Sequence, residues 1–225
     1  MIVLGIETAT AVCSVGLTDG EVVLSEVSEE AGRRHSVVLV GMIEQVLMDA
    51  GYSRGQLEGV AVSAGPGSFT GLRIGMGLAK GICVSLDIPI ATVSTLEALA
   101  VQSGSASSIV CGCLDARHEE LYSGVYQSDG ATLKSAHPDA SRGVEPLISL
   151  LAPEAVVVGY EIGSYTDAFC QAGFAVMPDV RPSGGAVATI GERRLASGHQ
   201  VSVDGAEPNY CKKSQPERLR AKDQS

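Results

Sequence analysis

The chain has 225 residues, 45% of them hydrophobic, and a formal net charge of −10. That length can bury a sizeable core as one large domain or two small lobes, and the composition excludes a disordered chain. The acidic balance argues against a nucleic-acid backbone as a direct partner of this chain alone, because like charges repel.

Residues 2–7 (IVLGIE), 12–18 (VCSVGLT) and 21–27 (EVVLSEV) read as three short strands. Thr8-Ala9-Thr10 turns between the first two, and Asp19-Gly20 is a hairpin signal between the next two. A helix is expected from about Ser36 to Ala50, stopped by Gly51. A strand at 59–63, a glycine-rich helix from Ser68 to about Leu86, a short strand near 88–93 and a helical stretch at 94–104 follow. The pattern then restarts: 109–115 (IVCGCLD) is a strand ending in an acid, 121–127 a second strand, and Asp129-Gly130 another hairpin turn.

EAVVVGYEIGS (154–164) aligns without gaps on EGVAVSAGPGS (58–68), matching Val60 with Val156 and Ser68 with Ser164. The chain therefore reads as two copies of one β-β-β-α-β-α unit, with Glu7 and Asp115 as counterparts at the two first-strand ends. Two such lobes describe an actin-like (ASKHA) α/β fold of ribonuclease-H-like lobes, with mixed sheets flanked by helices. The expected division is 1–104 and 105–205.

The N-terminus MIVLGIETAT lacks the positive leading segment of a signal peptide, and Glu7 interrupts its apolar run. No apolar run reaches the length of a membrane span, so a cytoplasmic protein without a membrane partner is expected. Six cysteines are scattered without a CxxC pair and four histidines without HxxxH or HExxH. Reduced, mostly buried thiols and no preformed metal site are expected.

Motifs for chemistry are weak. GxxxxGK[ST] is absent, and GMGLAKG lies inside a helix rather than at a strand-to-helix turn. The Gly65–Ser68 turn could offer N–H groups to an anion, but a tight turn with Ser68 as N-cap is simpler. Ser68 lacks the flanking glycines of a nucleophile elbow, since Pro66 and Thr70 hold those places. Glu7 and Asp115, with Gly67 and Ser68, are read as a vestigial cleft: acids that could hold a metal or orient water, in the simpler account only capping turns.

The glycine-rich helix carries Gly71, Gly75, Gly77 and Gly81, each costing roughly 1 kcal/mol of helix propensity against alanine. At 100° per residue, Gly71 and Gly75 share a side with Leu78 and Ile82, and Gly77 and Gly81 share another with Thr70 and Ile74. One stripe suits packing on the helix's own sheet; the second implies another close neighbour. In the preceding helix Leu39, Val40, Ile43, Val46, Leu47 and Ala50 are assigned to the core stripe. Val37, Val38, Met42 and Met48 are interspersed on the opposite side with Gly41, Glu44, Gln45 and Asp49. Together these helices predict a protein–protein surface built from Val37, Val38, Gly41, Met42, Gln45, Met48, Thr70, Arg73, Ile74, Gly77, Lys80 and Gly81.

LGIETATAVCSVGL (4–17), GPGSFTGLRIGMGLAKG (65–81), IPIATVSTLEALA (88–100), LDARHEELY (114–122) and AEPNYCKK (206–213) resemble the TsaB (YeaZ) family over most of the chain. The resemblance implies the actin-like fold with a reduced second lobe, and a final helix in 206–225 that returns to the first lobe. It implies a non-catalytic paralogue of TsaD, which transfers the threonylcarbamoyl group in making threonylcarbamoyladenosine on tRNA. The HxxxH metal pair of TsaD corresponds here to Thr95 and Leu99, which cannot replace it. Family members pair with TsaD, or with themselves when alone, through the two N-lobe helices, and work with the ATPase TsaE. tRNA would be met only through the complex. No cofactor is expected of the chain itself, and a nucleotide at the TsaD interface is left open. The family's first strand usually ends in Asp, where this chain has Glu7.

The competing reading is an enzyme in its own right, a degenerate actin-like ATPase or glycoprotease-type peptidase. The basic residues Lys212, Lys213, Arg218, Arg220 and Lys222 form a tail that could touch RNA or an acidic partner; a solvated tail is the simpler account.

Overall fold

The computed structural model describes residues 1–106, 108–129 and 132–212, with the side chains of 105 and 106 excepted. The basic positions Lys213, Arg218, Arg220 and Lys222 lie outside the described residues.

Alternating apolar residues and the Asp19-Gly20 turn build a first antiparallel trio, β1 (Val3–Glu7), β2 (Val12–Asp19) and β3 (Val22–Glu30). Gly20 and Glu21 take the left-handed conformation that such a turn demands. Helix α1 (His35–Asp49), strand β4 (Gly59–Gly65), helix α2 (Phe69–Leu86) and strand β5 (Ile90–Ser94) complete a five-stranded sheet ordered β3-β2-β1-β4-β5. The short α3 (Thr95–Ala100) leads into the second set: β6 (Ile109–Asp115), β7 (Glu120–Ser128), β8 (Leu133–Gly143), α4 (Val144–Leu150), β9 (Val156–Tyr160), α5 (Thr166–Gln171) and β10 (Ala175–Met177). Its sheet is ordered β10-β9-β6-β7-β8, the same topology with the same mixture of parallel and antiparallel pairs.

The register corrects the expected pairing of the two halves. Leu4 lies beside Val60 in the first sheet, and Cys111 beside Val157 in the second. All four side chains face the sheet's own covering helices, Leu4 and Val60 in one core, Cys111 and Val157 in the other. Likewise Gly5 faces Gly16 as Gly112 faces Gly124. The counterpart of Val60 is therefore Val157 rather than Val156, and Asp115 corresponds to Thr8 rather than to Glu7. A one-residue slip in a strand reverses every face, so the ungapped alignment set the two halves one residue out of phase.

The last helix of each half crosses to the other half's sheet. Helix α3 lies on β6, β7 and β9, where Gly112 leaves room for the backbone of Leu96, 2.9 Å from the place a Cβ would take. Helix α6 (Gly184–Ala196) lies on β1, β2 and β4 of the first sheet. Gly5, Gly16, Gly184 and Gly185 let the two backbones meet: a Cβ on Gly184 would stand 2.6 Å from the Gly16 nitrogen. Helix α6, inside the stretch assigned from sequence to the second lobe, thus packs on the first sheet. The described part of 206–225 contains no helix. Ser183 caps α6 by accepting the Ala186 N–H at 3.0 Å.

Cys13, Cys83, Cys111 and Cys113 are buried, Cys211 half-buried and Cys170 exposed, all as free thiols. Helix α2, 18 residues at a mean hydropathy of 1.2, meets the length and apolarity of a membrane span. This departs from the expectation that no run does so. It lies along the first sheet with Arg73 and Lys80 in its length.

Candidate partner-binding face and interlobe cleft

Helix α2 starts where expected, with the Ser68 hydroxyl accepting the Gly71 N–H at 3.2 Å. Its two glycine stripes part company. Gly71 and Gly75 are buried against the β1–β2 turn, where the Thr8 hydroxyl donates to the Gly71 carbonyl at 2.9 Å and leaves no space for a Cβ on either glycine. Around Gly77 and Gly81 a Cβ would meet nothing within 4 Å among the described residues. Thr70 and Arg73 are exposed beside them, Ile74 and Lys80 half-buried, and Val84 is 71% exposed.

Helix α1 lies on the same side of the first sheet, in contact with α2. Its buried stripe is His35, Leu39, Met42, Ile43, Val46 and Leu47. The sequence assignment of Met42 to the outer face and Val40 to the core is therefore reversed: Met42 is 5% exposed and Val40 52%. Steps of three and four from Leu39 reach Met42 and Ile43, whereas Val40 sits 100° round the helix. Val37 is 74% and Met48 67% exposed, Val38 half-buried, and Gly41 and Gln45 exposed. The Gln45 amide donates to Asp49 at 2.6 Å. Of the twelve residues expected at the interface, Met42 alone is buried.

A cleft of about 340 Å³ separates the lobes, lined in part by Ala9, Gly67, Ser68, Asp115, Arg117, Tyr122 and Tyr160. Asp115, Gly67 and Ser68 of the four expected cleft residues are on its wall; Glu7 is not. The Asp115 carboxylate accepts the Arg117 N–H at 2.9 Å and the Tyr165 hydroxyl at 3.3 Å. The Gly65–Ser68 turn is pressed on the β1–β2 turn: Ser68 N–H donates to the Ala9 carbonyl at 2.6 Å, and a Cβ on Gly67 would stand 2.7 Å from that of Ala9. The Ser68 amide is thereby spent on protein rather than offered to an anion.

Glu7 is fully buried, its Oε1 accepting the Ala9 N–H at 2.6 Å, and its Oε2 without a hydrogen bond of ordinary geometry. Burial pushes its carboxyl up to about 7, against the opposing pull of the Ala9 amide, the Ser63 hydroxyl and the Thr8 amide. Thr95 and Leu99 are likewise buried, Leu99 in the apolar core between the lobes. Between them Glu97 is paired with Arg194 of α6. Among the described residues no three His, Cys, Asp or Glu side chains converge as metal ligands.

Sequence reasoning missed one cluster. The Phe69 and Tyr210 rings stack at 4.7 Å, Arg73 lies 3.8 Å over Phe69, and its Nε donates to the Tyr210 hydroxyl at 3.0 Å. Only the distance along the chain hides this, Phe69 and Tyr210 lying 141 positions apart; Tyr210 carries no local signal.

Two sheets of identical topology, each roofed by the other's last helix around a cleft, define an actin-like protein of the ASKHA class. The ROK hexokinase of Thermus thermophilus shares that fold at TM-score 0.52 and 14% identity, over 87% of this chain and 100% of that one. YeaZ from Pseudomonas aeruginosa is far more alike, at TM-score 0.80 and 26% identity over 93% of this chain and 99% of that one. The sequence model of the TsaD family, described as tRNA N6-adenosine threonylcarbamoyltransferase, matches residues 22–217. The TsaB proteins of Escherichia coli and Bacillus subtilis, each named as a tRNA threonylcarbamoyladenosine biosynthesis protein, are 31% and 29% identical. These matches cover 94% of this chain and 95% of the first, and 96% of both chains for the second. The chain belongs to the TsaB (YeaZ) family, within the wider TsaD-like group.

Proposed function

We propose that this chain acts in tRNA threonylcarbamoyladenosine biosynthesis as a non-catalytic subunit that binds TsaD through the outer faces of α1 and α2. The observation that carries the reading is the bare backbone at Gly77 and Gly81. Two glycines whose outer side is open among the described residues cost helix propensity with no return visible there. Val37, Val40, Met48 and Val84 add exposed apolar area around them, and a partner backbone that approaches closely would bury both.

A role without turnover is supported by what fills the places where chemistry would sit. Glu7 is sealed, with its carboxyl raised by burial, the two cleft turns are hydrogen-bonded to each other, and the buried Thr95 and Leu99 stand at the positions the family resemblance sets against the metal pair of TsaD. TsaE joins the assembly, tRNA meets it through the complex, and the isolated chain pairs with itself through the same face. The division into an N-terminal lobe that binds the partner and a smaller C-terminal lobe belongs to this reading.

Co-expression with TsaD followed by sedimentation, with and without ATP, tests it. Gly77→Leu and Met48→Glu should weaken the complex at least tenfold while the isolated chain stays folded, Met48→Glu unfolding near its usual temperature and Gly77→Leu at or above it. Undiminished assembly in both variants sinks the placement of the surface. An ATPase or peptidase reading predicts turnover by the purified chain, abolished by Asp115→Ala; the scaffold reading predicts no turnover and normal tRNA modification in that variant.

A further inference from the structure

The described segment after α6 runs back along the first lobe and reaches the second at Lys212. Ala206 is buried in the first-sheet core, and Lys80 Nζ donates to the Asp204 carbonyl at 3.2 Å. Asn209 N–H donates to the Ala64 carbonyl at 2.6 Å, at the end of β4. Gly65 next to it has φ +106, and a Cβ there would stand 2.7 Å from the Asn209 carbonyl oxygen, so the strand end and the segment are in backbone contact. Tyr210 is then held by Phe69, whose ring it stacks on, and by Arg73, whose Nε donates to its hydroxyl.

Two residues later the chain is fastened to the other lobe. Lys212 Nζ donates to the Ala116 carbonyl at 2.9 Å, pairs with Glu120 at 2.6 Å, and lies 5.5 Å over the Tyr122 ring. Its side chain is only 12% exposed. Ala116 and Tyr122 line the cleft from the second lobe, and Gly67 and Ser68, just beyond Gly65, line it from the first.

We propose that residues 206–212 form a strap across the cleft, with Tyr210 anchored on the first lobe and Lys212 on the second, and that this strap sets the separation of the two cleft walls. Two residues of fully extended chain span at most about 7 Å. The walls cannot move apart at this edge unless one anchor lets go. The anchors differ in kind. Tyr210 is held by ring stacking and a hydrogen bond from a guanidinium, whereas Lys212 is held by a hydrogen-bonded ion pair and a cation over a ring. The proposal concerns the chain by itself and does not depend on which partner α1 and α2 bind.

The test is a distance between spin labels on the intact chain, placed at Arg33→Cys in the first lobe and Ser164→Cys in the second, both exposed positions, with Cys170→Ser and Cys211→Ser removing the accessible native thiols. The strapped chain should give one narrow distance distribution. Tyr210→Ala and Lys212→Met should each lengthen or broaden it by about 3 Å or more, the reach of one residue, while Tyr210→Phe and Lys212→Arg should stay close to the parent. A distribution unchanged in both Tyr210→Ala and Lys212→Met overturns the strap. Should either of these fail to fold, as judged by circular dichroism, the other decides alone, since each breaks a different anchor.

Discussion

The carbonyl oxygen of Thr8 occupies the space that a Cβ on Gly71 would need, and the Thr8 hydroxyl donates to the carbonyl of that same glycine. This contact fixes one side of α2 on the β1–β2 turn. It leaves Gly77 and Gly81, six and ten residues on, facing outward, with no described atom within 4 Å of the place a Cβ would take.

Gly71→Ala and Gly77→Ala should therefore have opposite effects on the isolated chain. The first overlaps backbone and should cost about 1–3 kcal/mol by overpacking. The second meets open space and should gain about 0.5–1 kcal/mol of helix propensity. Urea titration of the two variants measures both. The gain at Gly77 should come with weaker, never tighter, assembly with TsaD; a variant both more stable and better bound contradicts the close-approach account.

Methionine substitutions on α1 should divide in the same way. Met42→Glu buries a charge beside Leu39, Ile43 and Val46 and should cost several kcal/mol or abolish folding. Met48→Glu changes an exposed side chain and should move stability by about 0.5 kcal/mol or less, while weakening TsaD binding. Thermal unfolding and sedimentation separate the two effects, and a well-folded Met42→Glu chain would be at odds with the burial seen on this helix.

Glu7 makes stability depend on pH. Its carboxyl is raised by burial to about 7 in the folded chain and returns to an ordinary value on unfolding. Below the unfolded value both states hold the proton and stability is unaffected. As pH rises toward 7 the unfolded chain releases the proton and the folded chain keeps it, so stability falls; above about 7 the loss levels off. The total is on the order of 3 kcal/mol. Glu7→Gln should remove this slope, matching the parent near pH 4 and exceeding it near pH 8. Denaturant midpoints across that range check it, and parallel profiles for the two chains would mean that Glu7 is ionised in the fold.

Where α6 crosses β1 and β2, Gly184→Ala would set a Cβ 2.6 Å from the Gly16 nitrogen, on a strand that cannot shift without losing its pairing. A loss of about 3 kcal/mol is expected, or 6–12 °C in melting temperature for a chain of this size. A calorimetric melt of the variant within 2 °C of the parent would show that α6 can lift off without cost.

Much of the first lobe was legible because its signals are local. Asp19-Gly20 fixes a hairpin, Ser68 caps α2, Gly51 with φ +74 follows the end of α1, and the alternation in β1 and β2 names their faces. The second lobe was read thinly. Strand β8 and helices α4 and α5 are short, half-exposed or interrupted by Pro138 and Pro146, so neither period stands out over enough residues. The likeness of the two halves was visible, but an ungapped match of valine-rich strands cannot tell Val156 from Val157; only the strand register does.

The amino-acid order by itself determined where most strands and helices of the first half begin and turn, that α2 had two bare sides, and that no histidine pair stood at Thr95 and Leu99. These depend on interactions within a few residues, or on the side chain's own chemistry. Tertiary structure decided which bare side of α2 is open among the described residues, that Glu7 was shut away from the cleft while Asp115 lined it, and that α6 lies on the first sheet. Each of those outcomes hangs on contacts between residues scores of positions apart, such as Gly5 with Gly184. Burial is settled by the neighbour that arrives, and the periodicity of a single segment carries no record of which neighbour that is.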